Sequence, residues 1–385
     1  MIIKRDISKK LIEYANQYPV VTITGPRQSG KTTLVRTTFP NHLYFSLENP
    51  DIKEFALTDP RGFLEKSSGG MILDEIQNAP ELLSYIQGIV DENNLSGQFI
   101  LTGSQQFQLM KGVTQSLAGR NALLKLLPFT IHETASIKKE SSIDSYLLKG
   151  FYPRVWEKGL DPRQTYMDYF QTYIQRDLRD LALIKDLSAF QRFVRLCAGR
   201  TGQIFVASNL SNELGVSVPT IKSWLSILET SYVVFLLQPY YENIGKQLVK
   251  SPKLYFYDVG LASYLLGIEN INQLERDPLR GALFENLVIM EVLKKRYNLS
   301  LDANIFFYRD KQQHEVDLIL KRGNELNLVE IKSAKTFQPD FFKGNNYLRK
   351  IFGDRIKESY VVYNGEMEQE IKGTKLINVM NVNQI

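Results

Sequence analysis

The chain has 385 residues, 43% of them hydrophobic and 23% charged, with 24 Gly, 14 Pro, a single Cys and a formal net charge of +5. At about 150 residues per domain this length suits two or three domains, and ordinary apolar and charged fractions exclude a disordered, collagenous or fibrous chain. Lone Cys197 excludes an internal disulfide and a multi-cysteine zinc site, and His42, His132 and His314 are too scattered to suggest a structural zinc.

The N-terminus MIIKRDISKK is charged where a signal peptide is apolar, and no apolar run approaches the roughly 18 residues that cross a bilayer. A cytoplasmic protein without a membrane partner is expected. The positive charge is spread evenly along the chain, so a nucleic-acid surface would have to be assembled by folding.

In chain order, the first third alternates short apolar runs with helical patterns: PVVTITG (19–25), HLYFSL (42–47), GMILDE (70–75) and QFILTG (98–103). That spacing predicts a parallel sheet with helical crossovers. Between the first run and the following TLVR lies GPRQSGKT, which fits GxxxxGK[ST]. Gly25, Pro26, Arg27, Gln28, Ser29, Gly30, Lys31, Thr32 and Thr33 then form a loop whose backbone N–H groups can curl around the phosphates of ATP. Lys31 brings a cation to the β- and γ-phosphates, and the Thr32 hydroxyl can bind Mg²⁺.

A magnesium nucleotide also needs a carboxylate at the end of a neighbouring strand, and MILDE supplies two. Asp74 is expected to hold Mg²⁺ through water, and Glu75 to polarise the attacking water, which separates an ATPase from a plain nucleotide binder. FILTGS ends in Ser104, placed to touch the γ-phosphate or the water, although a turn serine reads the same way. Arg120, in SLAGR, is either a finger that acts on a neighbouring subunit's nucleotide or a solvated surface arginine.

From about 136 to 202 the β signals fade, and TYMDYFQTYIQRDLRDLALI carries apolar residues at helical spacing, a lid or linker. In VASNLSNELGVSVPTIKSWLSILE the apolar positions fit two short helices around Gly215, and the runs YVVFLL and KLYFYD behind them could form a wing. The second helix would expose Ser217, Thr220, Lys222 and Ser223 to DNA, yet only Lys222 is basic, so a purely structural winged helix stays open.

The last hundred residues open with the apolar helix ALFENLVIMEVLKKRY, continue with strand-like NIFFYRD, HEVDLIL and LNLVEIK, and end with a helix and a strand around YVVY. On a HEVDLIL/LNLVEIK hairpin, Glu330 and Lys332 share a face by strand alternation. Asp317 and Glu330 can then share one Mg²⁺ while Lys332 activates water, with Glu285 on the preceding helix completing the set. This resembles the PD-(D/E)xK nuclease fold, either active or retained only for binding. Cys197, His314 and the aromatic stretches YFQTY and YFYD are read as ordinary packing residues.

The strings GPRQSGKTTL, LDEIQ, LTGSQ, SLAGR…LLPFT, GFYP, YIQRDL, TIKSWLSILE, KLYFYDVGL, GALFEN and YRDKQQHEVDLIL…LVEIKS cover nearly the whole chain. Together they resemble a group of prokaryotic AAA-type P-loop ATPases whose C-terminal half is described only as a domain of unknown function. Combined with the residue patterns above, the resemblance leads to an expected α/β protein: a P-loop AAA-type core (1–135), a helical lid (136–201), a winged helix-turn-helix (202–265) and a nuclease-like α/β domain (266–385). It also implies ATP binding and hydrolysis, with DNA as the suspected substrate. The expected function is a DNA motor or remodeller, acting on branched DNA among other structures, in an oligomer such as the hexamers common in AAA proteins. An ATP-gated metal-dependent nuclease and a nucleotide-switched signalling or scaffold protein without DNA are the alternatives.

Overall fold

The computed structural model describes residues 3–93, 95–104, 116–137, 140, 142–177, 184, 186–241 and 250–385. Gln105 of LTGSQ, residues 178–183 of the YIQRDLRDLALI run and the 242–249 segment between the two wing runs lie outside the described residues. The chain divides into two units: Met1–Phe129 with Thr230–Tyr232 and Arg296–Leu301, and Thr130–Glu229 with Val233–Lys295 and Asp302–Ile385.

The first unit is built on five parallel strands in the order β2-β3-β4-β1-β5, where β1 is Val20–Thr24, β2 Leu43–Ser46, β3 Met71–Asp74, β4 Phe99–Gly103 and β5 Asn121–Lys125. Strand alternation explains the continuous apolar runs. Val20, Met71, Leu73, Phe99 and Leu101 enter one core, while Val21, Ile23, Ile72 and Ile100 enter the other. With helices on both faces, β1, β3 and β4 are buried at every position, so their runs lose the polar alternation of a half-exposed strand, while the edge strand β2 stays partly exposed. The strand β5 was not anticipated, because NALLK alternates half-buried and buried positions and is short.

The second unit begins with helices, including Pro162–Tyr169 continued by a π-helical stretch Phe170–Asp177. Helices Ala207–Leu214 and Val218–Thr230 follow, the first stopped by Gly215 in the left-handed conformation at φ 69°. A glycine adopts that conformation at no Cβ cost, which lets the chain turn within the three residues between the helices. Leu210, Ile221, Trp224 and Leu228 are buried, and Ser217, Lys222 and Ser223 are exposed.

Eight strands complete the unit in the order β12-β13-β11-β10-β9-β8-β6-β7. Here β6 is Val234–Pro239, β7 Lys253–Phe256, β8 Ile305–Arg309, β9 Glu315–Arg322, β10 Glu325–Lys332, β11 Ile356–Tyr363, β12 Gln369–Ile371 and β13 Thr374–Asn378. The two runs expected to form a wing do pair antiparallel as β6 and β7. They are not a free-standing wing, because Gln238 and Pro239 of β6 pair parallel with Phe306 and Phe307 of β8. After YVVY the sheet also gains β12 and β13, which extend it beyond the terminal strand read from sequence. One face of the sheet packs on helix Lys343–Phe352 through Leu348 and Phe352, which meet Val316, Ile319, Leu326 and Leu328.

Candidate functional site

In the first unit the loop after β1 has the backbone that its sequence demands. Gly25 has φ 152°, and a Cβ there would overlap the carbonyl oxygen of Leu126. Gln28 and Gly30 also have positive φ, 62° and 91°. Gly30 caps helix Lys31–Thr38 without any side-chain bond to the first N–H groups, so that helix end offers donors and positive dipole to an anion.

Lys31 is only 5% exposed. Its Nζ donates to the Gly25 carbonyl at 3.0 Å and the Pro26 carbonyl at 2.8 Å. Burial pushes this ammonium below the usual lysine value, opposed by the charges of Glu75 and Asp74. The Ser29 hydroxyl is buried and has no hydrogen-bond partner. The loop is tethered from outside by Arg5, which donates to Ser29 O at 2.8 Å and Leu127 O at 2.7 Å and lies over Phe129. Arg5 was missed by sequence reasoning, and a lone arginine in a terminal segment carries no signal that could have found it.

The carboxylates at the end of β3 differ in setting. Asp74 Oδ2 accepts from the Thr32 hydroxyl at 2.9 Å and the Tyr44 hydroxyl at 2.8 Å, while Oδ1 accepts from Thr102. Burial and this bond raise the Tyr44 phenol to about 12. Glu75 leaves the strand in the left-handed conformation, φ 56° and ψ 50°. Its Oε2 accepts from Gln77, from Ser104 Oγ at 3.0 Å and from Ser104 N at 3.1 Å. Burial works to raise its pKa, but the Lys31 charge and these donors hold the carboxyl below its ordinary value. Glu75, Ser104, Lys31, Thr32 and Asp74 are thus brought together, with Thr102, Tyr44 and Gln77 added. Gln77 lies within LDEIQ and Thr102 within FILTGS, so the strings held that signal. Arg120 is half-buried and forms a two-pronged ion pair with Asp91, Nη2 at 2.9 Å from Oδ2.

In the second unit, Asp317 on β9 and Glu330 and Lys332 on β10 meet as the hairpin pattern predicts. Lys332 Nζ lies 3.1 Å from Glu330 Oε2 and 3.5 Å from Asp317 Oδ2, and Ile331 N donates to Asp317 Oδ2 at 2.8 Å. Burial and the Asp317 charge push Glu330 well above the usual carboxylate value. Asp317 is pulled down, against the effect of burial, by Lys332 and Lys253. Glu285, on helix Arg280–Asn298, has a different partner from the one expected. Its Oε1 accepts from Lys253 Nζ at 3.0 Å and Tyr255 OH at 2.5 Å, and Lys253 also pairs with Glu315 at 2.5 Å. Lys253 and Tyr255 belong to KLYFYD, whose apolar look concealed them. His314 stands apart, stacked 3.8 Å from the Tyr347 ring with Nδ1 3.1 Å from Asp310. Among the described residues, no group of three or more His, Cys, Asp and Glu is placed to hold a metal ion.

The residues proposed to meet DNA begin the second helix of the pair, where Ser217 Oγ and Thr220 Oγ1 are 2.8 Å apart. No helix among the described residues is long and apolar enough to cross a membrane.

Residues 17–135 match the family model described as an AAA domain. Residues 140–272 and 280–385 match two domains of unknown function, DUF8612 and DUF4143. An uncharacterized protein of Mycobacterium tuberculosis, Rv2008c, is 32% identical over 340 residues, spanning 87% of this chain and 75% of that protein. MJ1544, an uncharacterized protein of Methanocaldococcus jannaschii, is 23% identical over 404 residues, covering 96% of this chain and 87% of that one. Among solved structures, the Walker-type ATPase PABY2304 of Pyrococcus abyssi matches with a TM-score of 0.46 and 17% identity, covering 69% of this chain and 96% of that chain.

Proposed function

The chain belongs to one family with the mycobacterial protein Rv2008c and carries an AAA domain over residues 17–135, and from that premise we propose that it hydrolyses ATP to ADP and phosphate. The observation that carries this reading is the convergence of Lys31, Thr32, Asp74, Glu75 and Ser104 at the C-terminal ends of β1, β3 and β4. The residues present fit a magnesium nucleotide. An orphaned buried hydroxyl at Ser29, an uncapped helix end after Gly30 and a buried ammonium at Lys31 suit phosphate oxygens. The Thr32 hydroxyl and Asp74 carboxylate are the hard oxygen donors that Mg²⁺ prefers. When bound, that ion would neutralise charge on the phosphates.

Each residue then has a task. Lys31 exchanges two backbone carbonyls for phosphate oxygens. Backbone N–H groups of residues 27–33 hold the phosphates in place, within the loop that begins at Gly25 and Pro26. Glu75, released from Gln77, orients the attacking water and accepts its proton, while Ser104 remains beside the reacting γ-phosphate. Arg120, leaving Asp91, would reach the nucleotide of a neighbouring subunit in an oligomer.

Nucleotide binding and hydrolysis, measured together, test the core of this reading. Glu75→Gln is expected to retain ATP and lose turnover by about 10²–10⁴-fold, and Lys31→Ala to lose ATP itself. Unchanged turnover in Glu75→Gln would overturn it. Mixing Arg120→Ala with Glu75→Gln chains should restore activity if the arginine works across subunits.

The ATPase is proposed to act on DNA through the helix pair 207–230. The support is the short reversal at Gly215 and the exposed Ser217, Lys222 and Ser223 opposite a buried apolar face. With one basic residue on that helix start, Lys222→Ala should lower the salt dependence of DNA binding by about one unit of slope rather than abolish binding.

A further inference from the structure

Four carboxylates and two ammonium groups converge where helix Arg280–Asn298 meets the sheet of the second unit: Glu285, Glu315, Asp317 and Glu330 with Lys253 and Lys332. A metal-dependent cleavage site in this pattern would use Glu285 as a ligand beside Asp317 and Glu330. The donors present do not fit that use. Glu285 is engaged through Oε1 by both Lys253 and Tyr255.

Lys253 is placed with unusual care for a lysine. It is 2% exposed, it opens β7, and its ammonium reaches Glu285 on the helix, Glu315 on β9 and the face of Phe307 on β8 at 5.5 Å. Burying an isolated ammonium costs several kcal/mol, so the group persists there only because opposite charge surrounds it. Lys253 compensates Glu285, and it shares Glu315 with Arg309, whose Nη1 lies 3.4 Å from Glu315 Oε2. Lys332 compensates Asp317 and Glu330 at the other end of the cluster.

We propose that Lys253 is the resident cation of this cluster. Its ammonium bridges Glu285 and Glu315 and so occupies the Glu285 carboxylate that a metal shared with Asp317 and Glu330 would need. Glu285 is therefore a partner of lysine and not a metal ligand, and the cluster ties β7, the helix and β9 together without a metal. The inference is independent of the nucleotide site.

The test is Mn²⁺ binding to the full-length, nucleotide-free protein, read by the electron paramagnetic resonance of free Mn²⁺ and by thermal unfolding. Wild type and Glu285→Gln should bind the same number of Mn²⁺ ions. Lys253→Met should gain one Mn²⁺ per chain and lose thermal stability that Mn²⁺ restores. Lys253→Arg should gain none, and Lys253→Met with Glu285→Gln should lose the extra ion. Any contribution from Thr32 and Asp74 is common to all the chains. Loss of an ion from Glu285→Gln relative to wild type, or no gain in folded Lys253→Met, would overturn the proposal. The first comparison leaves residue 253 intact, so it decides the matter even if Lys253→Met does not fold.

Discussion

Glu75 shows how much one residue's surroundings add to its identity. Its carboxylate oxygen already has three donors, one from Gln77 and two from Ser104, and its backbone sits in a conformation that non-glycine residues rarely adopt. Three donors on one oxygen stabilise the charged carboxylate and so weaken it as an acceptor for a water proton. Removing one hydrogen bond of roughly 1 kcal/mol, as in Gln77→Ala, should raise basal ATP turnover about fivefold; a fall would show that Gln77 helps hydrolysis instead. Gly25 makes a steric point at the same scale. Gly25→Ala places a methyl against the Leu126 carbonyl at φ 152°, and should cost about 1–3 kcal/mol in denaturant unfolding and weaken ATP binding with it.

Among the elements, the strings GFYP and KLYFYDVGL meet at one buried carboxylate. Asp258 caps helix Val259–Leu265 by accepting from Leu261 N at 3.1 Å, and it also accepts from Phe151 N at 2.7 Å and Tyr166 OH at 2.6 Å. Gly150 and Gly260 stand so close that a Cβ on Gly260 would lie 2.7 Å from the Gly150 Cα. GFYP and the YDVGL end of KLYFYDVGL are accounted for by a helix cap and a close backbone crossing. Asp258→Ala should cost about 2–4 kcal/mol in chemical denaturation, combining a lost cap with an orphaned Phe151 N–H. Asp258→Asn keeps one acceptor oxygen and should cost less.

For the whole molecule, two compact units give a separable prediction. A ligand that binds only folded protein stabilises the unit that holds it, by about 2.7 kcal/mol at a hundredfold excess over Kd. Calorimetry should therefore show Mg²⁺ and ATP raising the unfolding transition of the unit containing residues 20–129, and the shift should vanish in Lys31→Ala. A shift that survived Lys31→Ala would place the nucleotide elsewhere.

The parallel sheet of the first unit and its phosphate loop were legible because local rules write them directly. Buried strands demand apolar runs, and GPRQSGKT confines the glycines, the lysine and the threonine to eight consecutive residues. The hairpin pairing of Asp317 with Glu330 and Lys332 was legible for the same reason, since strand alternation sets which side chains share a face. What the sequence by itself could not determine was the company those residues keep. Lys253 is 32 positions from Glu285, and Arg5 is 24 from Ser29. Only the tertiary structure decides such encounters, because charge compensation and loop tethering depend on distance in space, and neither leaves a periodic trace along the chain.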